Sequence, residues 1–468
     1  MAAWPDALVA VVLLLAAALW FRWLADAAST SGVITGEEAS ISHRDALSVA
    51  LHWQPSIWST NFGSQVFYWA AGHLTPHYDL LYGRAAKALA TALLAPLVYV
   101  VARRRLGCAM TSSIVGAVAV AVLPGVSTVA WVATENGLEA VWGVAALFVA
   151  TSRRWWWPVG LVLAGVSVSN YTAGLAWAAV VVLVAATRVV GPRAPGLRAA
   201  PGALAGLVAG LVAGLAVVFA PLLWWDNGGI VVTGGGYAGA SAADVPNRLA
   251  EVAHYAAVDG SSYYYFSSSA MLGGRAAAVT LLLLSVAATV ARPRRVWPWT
   301  AVALAAVGLY TVSSGIPGSR RLVAVAVVAA LLLAVGTDVV ATAMPRRALA
   351  PVVAAVALLA LGAATVPATS AWHERAEDGA LTLPVDWPFP VDPGGTQGST
   401  IRRLDTDLRS GRLTPAQVAE GWGGTRTLAV LAMLSARTGV APPLLPADIL
   451  AAYRASADCR DLDGAGCG

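Results

Sequence analysis

The chain has 468 residues, of which 58% are hydrophobic and 12% charged. That charged share is about half the average for soluble proteins, too little to screen so much apolar surface in water, and the same hydrophobicity excludes disorder. The net charge of +5 is not a nucleic-acid footprint, because the arginines are scattered as short clusters and Lys87 is the one lysine. Composition therefore describes an integral membrane protein.

A membrane crossing takes about 20 mostly apolar residues. In chain order such stretches run over 7–24, 84–102, 111–131, 139–151, 203–225, 276–291, 297–312, 322–344 and 348–366. The run 155–187 is too long for one straight crossing and predicts two short helices broken around Asn170-Tyr171-Thr172. The expectation is an all-α polytopic protein of about 11 crossings. The first stretch precedes Ala25-Asp26-Ala27, which resembles a signal-peptidase site, but no basic residues come before it, so it reads as an uncleaved anchor.

Arginine placement orients this layout. Arg103–Arg105, Arg153, Arg154, Arg188, Arg193, Arg198, Arg292, Arg294, Arg295, Arg346 and Arg347 fall in alternate connections that hold no Asp or Glu. The positive-inside rule makes those connections cytoplasmic, with the N-terminus inside and the C-terminus outside the plasma membrane. All six histidines and every carboxylate except Asp6 and Asp338 then lie on the outer side. The chain divides into a transmembrane unit, 1–368, with outer loops 25–83 and 226–275, and a small, mostly helical extracytoplasmic domain, 369–468. Cys459 and Cys467 in that domain predict a short-loop disulfide. Cys108, on the inner side, reads as a reduced thiol.

Three groups of outer residues carry candidate chemistry. Glu37 and Glu38 precede a segment, 41–53, with apolar residues at helical spacing, which predicts a helix on the membrane surface. A carboxylate held there acts as a general base or as a cation ligand, and Asp45 is the reserve. Arg84, Lys87, Arg248, Arg275 and the pair Arg320 and Arg321 lie near outer helix ends, where cations suit a phosphate; Arg320 and Arg321 are favoured. His254 and the cluster Tyr263, Tyr264 and Tyr265 offer faces and hydroxyls to a sugar, or form an interfacial aromatic belt. Gly234-x-Gly236-x-x-Gly239 imitates a dinucleotide fingerprint but lacks the strand–helix unit that would give it meaning.

The acidic pair after the first crossing, followed by a surface helix, resembles the GT-C membrane glycosyltransferases, and within them the bacterial protein-mannosyltransferase and aminoarabinose-transferase branch. The stretch from Asn61 to Trp69, the sequence Leu81-Tyr82-Gly83-Arg84, the exit Ala102-Arg103-Arg104-Arg105-Leu106-Gly107, the break Ser169-Asn170-Tyr171-Thr172-Ala173 and Ser319-Arg320-Arg321-Leu322 extend the likeness over roughly 1–345. Two departures stand out: the acidic pair is Glu-Glu where relatives carry an Asp, and the family's Pro-Pro segment is absent.

The resemblance implies a sugar donor on a polyprenyl phosphate within the membrane lipids, and a glycan, lipid or protein acceptor of the cell envelope on the outer face. A carboxylate would activate the acceptor hydroxyl, and arginines would stabilise the departing phosphate. Metal dependence stays open, because a carboxylate pair serves as base or as ligand to Mg or Mn. An Arg-rich composition with a single lysine suits an actinobacterial envelope. The competing readings are a transporter or flippase of a lipid-linked sugar, and a non-catalytic GT-C-like protein.

Overall fold

The computed structural model describes residues 3–30, 62–74, 82–152, 156–190, 200–220, 241–258, 270–313, 319–344, 350–377 and 410–412. Glu37, Glu38, Asp45, Tyr263, Tyr264, Tyr265, Cys459, Cys467 and the glycine-rich stretch around Gly234 lie outside them, as does nearly all of the expected C-terminal domain.

Every helix and turn-helix among the described residues belongs to an all-α, multi-pass membrane protein. Helix α1 (Ala3–Thr30) is continuous through the Ala-Asp-Ala sequence, with Phe21 and Leu24 in the core. It is followed by α2 (Phe62–Leu74), α3 (Tyr82–Ala92) and α4 (Leu94–Val101), a π-helical turn (Ala102–Leu106), α5 (Met110–Val122) and α6 (Pro124–Ala130). Then come α7 (Leu138–Ala150), α8 (Trp157–Asn170), α9 (Leu175–Val190) and α10 (Ala200–Phe219). The rest is α11 (Val245–Ala257), α12 (Arg275–Ala291), α13 (Pro293–Val312), α14 (Val323–Ala343) and α15 (Ala350–Glu377). By length and hydropathy, five helices of the described residues are long and apolar enough to cross a membrane, or six if the bent pair α5–α6 counts as one span. Four shorter apolar helices accompany them.

Helix α14 is the axis of the bundle, with 83% of its most apolar window buried, against α5, α12, α13 and α15. At the periphery, α10 buries only 17% of its window and turns Leu204, Val208, Val212 and Leu215 outward, as lipid-facing helices do. Its glycines face α8 so closely that a Cβ on Gly165 would collide with the carbonyl of Gly214, the small-residue packing that lets helix backbones approach in a membrane.

Two breaks depart from straight crossings, one foreseen and one not. Helix α8 stops at Asn170, Tyr171 is extended, and a 3-10 turn (Thr172–Gly174) restarts the chain into α9, as the sequence predicted. The stretch 111–131, expected as one crossing, is instead bent by 56° between α5 and α6. The reason is local: Leu123 is extended (φ −62°, ψ 127°) and Pro124 has no N–H to continue the ladder.

One end of the bundle is basic. Asp6 on α1 accepts from Tyr99 Oη (2.7 Å), Arg103 Nε (3.2 Å) and Arg104 Nη2 (3.2 Å). Asp338 on α14 accepts from Arg292 Nη2 (2.5 Å) and from the backbone N–H of Ala109 (2.7 Å), the N-cap residue of α5. Each carboxylate thus ties a helix to the arginine-bearing turn beside it. Asp338 was the one acidic residue deep in a predicted crossing; here it is a structural staple. Burial in the same turn, beside the Asp338 charge, pushes the Cys108 thiol up to about 12, so it is no nucleophile at neutral pH.

Candidate functional site

At the opposite end, the chain between α6 and α7 does something a lipid-facing segment cannot. Trp131 to Gly137 are non-helical and all buried. Irregular backbone at membrane depth is stable only where protein or trapped water satisfies its polar groups. Here side chains do so. Lys87 Nζ donates to the carbonyl oxygen of Thr134 (2.7 Å) and, over a very short contact, to that of Asn136, while Tyr68 Oη donates to Thr134 O (2.8 Å). Gly137 takes φ +95°, a left-handed turn open to glycine, and its N–H donates to Glu139 Oε2 (2.6 Å) at the start of α7. Ser167 Oγ, on α8, donates to Glu139 O (2.7 Å).

The charges around this segment belong together. Lys87 is fully buried, Glu139 is 1% exposed and Glu135 6%, and the ammonium lies within Coulombic reach of both carboxylates. Arg84, one turn before Lys87 on α3, is equally buried, its guanidinium 5.1 Å from the centre of the Trp131 ring, a cation–π distance. Ionisable groups in the interior of a membrane bundle are costly and mark functional sites by default.

Two motifs far apart in sequence form the adjoining wall. Helix α2, which contains most of the Asn61–Trp69 stretch, packs on the end of α8. The approach is so close that a Cβ on Gly63 would lie 2.6 Å from Ser169 Oγ and 2.7 Å from Asn170 Nδ2. The charged cluster therefore lies among α2, the 131–137 segment and the start of α3, with α2 packed in turn on α8 at its break.

The other predicted cations sit across α6. The 3-10 turn Ser319–Leu322 carries Arg320 and Arg321 and packs on α6 and α11, while α3 packs on the α6 helix as well. Helix α11 is tied to the same wall by backbone bonds: Met271 N–H donates to Tyr255 O (2.9 Å), and Gly125 N–H on α6 donates to Met271 O (3.0 Å). On α11, Glu251 accepts from Arg248 Nη1 (3.0 Å) and from Tyr310 Oη (2.9 Å). Tyr255 meets the Tyr310 ring edge-on at 6.4 Å, and His254 is exposed beside it.

Sequence reasoning missed Glu135 and Glu139, treating Glu139 only as a helix boundary. The signal was present in Thr134-Glu135-Asn136-Gly137: two carboxylates flank an Asn-Gly turn between apolar runs, where a plain connection needs no charge. Among the described residues no three of His, Cys, Asp or Glu converge as a metal set. Glu135 and Glu139 do not suit a divalent cation in this arrangement, since the Lys87 ammonium already faces both.

No family model and no curated protein matches the chain. Among solved structures, it is similar to ArnT from Cupriavidus metallidurans, crystallised with undecaprenyl phosphate, at 18% identity over 86% of this chain and 81% of that one, with a TM-score of 0.48. A likeness at that level carries no conclusion about activity.

Proposed function

We propose that the protein is a membrane glycosyltransferase of the GT-C type that transfers a sugar from a polyprenyl-phosphate donor to a cell-envelope acceptor. The observation that carries this reading is the buried, charged segment 131–137, held by Lys87 and by Tyr68 of α2, the helix that packs on the α8 break. A buried ion cluster on irregular backbone costs free energy to form, and ionisable groups inside a membrane bundle are functional-site candidates by default. The motifs that resemble GT-C enzymes, α2, Arg84, the α8 break and the Arg320–Arg321 turn, all adjoin this cluster or the α6 helix beside it.

The reaction requires an acceptor oxygen to bond the anomeric carbon as the bond from that carbon to the phosphate oxygen breaks. The acceptor proton passes to a carboxylate, and polyprenyl phosphate leaves. Glu37 or Glu38, with Asp45 in reserve, is proposed as that base. Arg320 and Arg321, with Arg84, are proposed to meet the phosphate, where planar guanidinium groups form bidentate bonds. Lys87 has two of its three N–H donors on carbonyls, so its part in donor binding is to shape the 131–137 segment and to contribute positive potential. His254 and the Tyr263–Tyr265 cluster are proposed to contact the sugar or the acceptor. The N-terminus is proposed to be cytoplasmic, the C-terminus outside, the crossings about eleven in number, and the tail a separate outer domain with a Cys459–Cys467 disulfide.

Bond formation separates this reading from transport. Purified protein in nanodiscs, given a panel of polyprenyl-phosphate sugars and acceptor fractions from the cell envelope, should release polyprenyl phosphate in step with acceptor glycosylation. Movement of intact donor across liposomes with no release would instead identify a flippase. The Asp338 staple weakens that alternative, since this buried carboxylate is already engaged by Arg292 and Ala109.

A further inference from the structure

We infer that Glu251 accepts hydrogen bonds from the hydroxyl groups of the donor sugar, and that this contact selects a neutral sugar over an amino sugar; the inference rests on the glycosyltransferase reading above. Helix α11 packs on α12 and α13, and its carboxylate is held from behind. Arg248 Nη1, one turn earlier, donates to Glu251 Oε2 (3.0 Å), and Tyr310 Oη on α13 donates to the same oxygen (2.9 Å). The Arg248 guanidinium lies 5.8 Å from the centre of the Tyr310 ring, and Tyr310 is buried. Glu251 Oε1 takes no hydrogen bond among the described residues, and 36% of the Glu251 side-chain surface is exposed. One oxygen is thus fixed by donors from two helices, and the other is left open as an acceptor.

An Arg–Glu pair three residues apart is by itself a minor stabiliser of a helix. Here the second donor comes from another helix, and α11 is anchored by backbone bonds as well. Met271 N–H donates to Tyr255 O, Leu272 N–H donates to Ala256 O (3.1 Å), and Gly125 N–H on α6 donates to Met271 O. Helix α11 also packs on the 3-10 turn that carries Arg320 and Arg321, the groups proposed to meet the phosphate. The sugar is bonded directly to that phosphate, so its hydroxyls fall within one ring's width of it, beside the helix that bears Glu251. A carboxylate oxygen is a stronger acceptor for a hydroxyl than a neutral group is. The Arg248 charge offsets that of Glu251, so the pair suits a neutral hydroxyl and gives an ammonium group little attraction.

Native mass spectrometry of the full chain tests the contact with three kinds of lipid: polyprenyl methyl phosphate, which is a phosphodiester without a sugar; polyprenyl-phosphate glucose, galactose or mannose; and the 6-amino-6-deoxy counterpart of each hexose lipid. Wild type should retain at least one hexose lipid about tenfold better than the methyl diester, the effect of a hydrogen bond to a charged group, and better than its amino counterpart. Glu251→Gln should lose most of that preference while retaining the methyl diester as wild type does. Tyr310→Phe, which removes one donor behind the carboxylate, should lose part of it, and Asn247→Ala, exposed on α11, should keep it. If Glu251→Gln does not fold, Tyr310→Phe decides. Equal retention of hexose lipids and methyl diester by wild type, an unchanged preference in the deciding variant, or stronger retention of the amino sugars would overturn the proposal. A sugar preference that depends on Glu251 in a protein releasing no polyprenyl phosphate would support Glu251 as the sugar contact and overturn bond formation instead.

Discussion

Lys87 sits where no other ammonium of the protein can substitute for it: it is the only lysine, it is fully buried, and it faces two carboxylates. Removing one partner of such a cluster leaves uncompensated charge in a low-dielectric interior. Lys87→Met is therefore expected to cost about 3–5 kcal/mol of stability. Glu139→Gln should also destabilise. The double variant should cost less than the two single costs together, with a coupling of roughly 1–3 kcal/mol. Thermal unfolding of the four proteins in one detergent measures this; strictly additive costs would show that the ammonium and the carboxylate do not interact. Gly137→Ala is a separate case, because its Cβ would make only ordinary contacts, with Val129 Cγ2 at 3.5 Å and Lys87 Nζ at 4.0 Å, and the cost is chiefly that of φ, about 1–2 kcal/mol.

At the scale of elements, the contact between α2 and the α8 break is what turns two loop motifs into one wall. Gly63 permits it, since any side chain there meets Ser169 and Asn170. Gly63→Leu is expected to push α2 away and lower turnover at least tenfold, because misplacing a positioning group by about 1 Å costs on the order of a hundredfold. The melting temperature should fall as well, because moving α2 loosens the buried Tyr68 and its bond to Thr134 O; if turnover per folded molecule stays at the wild-type level, α2 is not part of the site. These elements were unequally legible beforehand. The α8 break was readable because Asn170 and Tyr171 interrupt an apolar run too long to cross once. The α5–α6 bend was not foreseen, although Pro124 stood in plain view, because the hydropathy of 111–131 hides a kink. Burial of the 131–137 segment was illegible for a further reason: its carbonyls are satisfied by Lys87 and Tyr68, from 47 and 66 residues away, and no local pattern records that.

At the scale of the whole molecule, the two carboxylate staples hold together the basic end of the described bundle. Asp338 illustrates what sequence position leaves open: a carboxylate deep in an apolar helix suggests transport, whereas its partners show that it caps α5 and pairs with Arg292. Asp338→Asn is expected to lower stability by about 3–5 kcal/mol, with turnover per folded molecule unchanged. An unaltered melting curve with lost activity would return Asp338 to the list of working residues. The all-α, multi-pass character was readable from composition, because apolar runs are local. The site was only partly readable, because it is assembled from four segments whose partners are chosen by packing.

The central claim is sugar transfer at the end of the bundle opposite the basic one, driven by an outer-loop carboxylate. Its most direct test is turnover of a polyprenyl-phosphate sugar by wild type, Glu37→Gln, Glu38→Gln and Glu135→Gln in nanodiscs, scored as polyprenyl phosphate released. The account predicts wild-type turnover that falls at least a hundredfold in Glu37→Gln or Glu38→Gln, the scale of a general-base contribution, and less steeply in Glu135→Gln. Absence of release by folded wild type with every donor, or equal release by all four proteins, would contradict it.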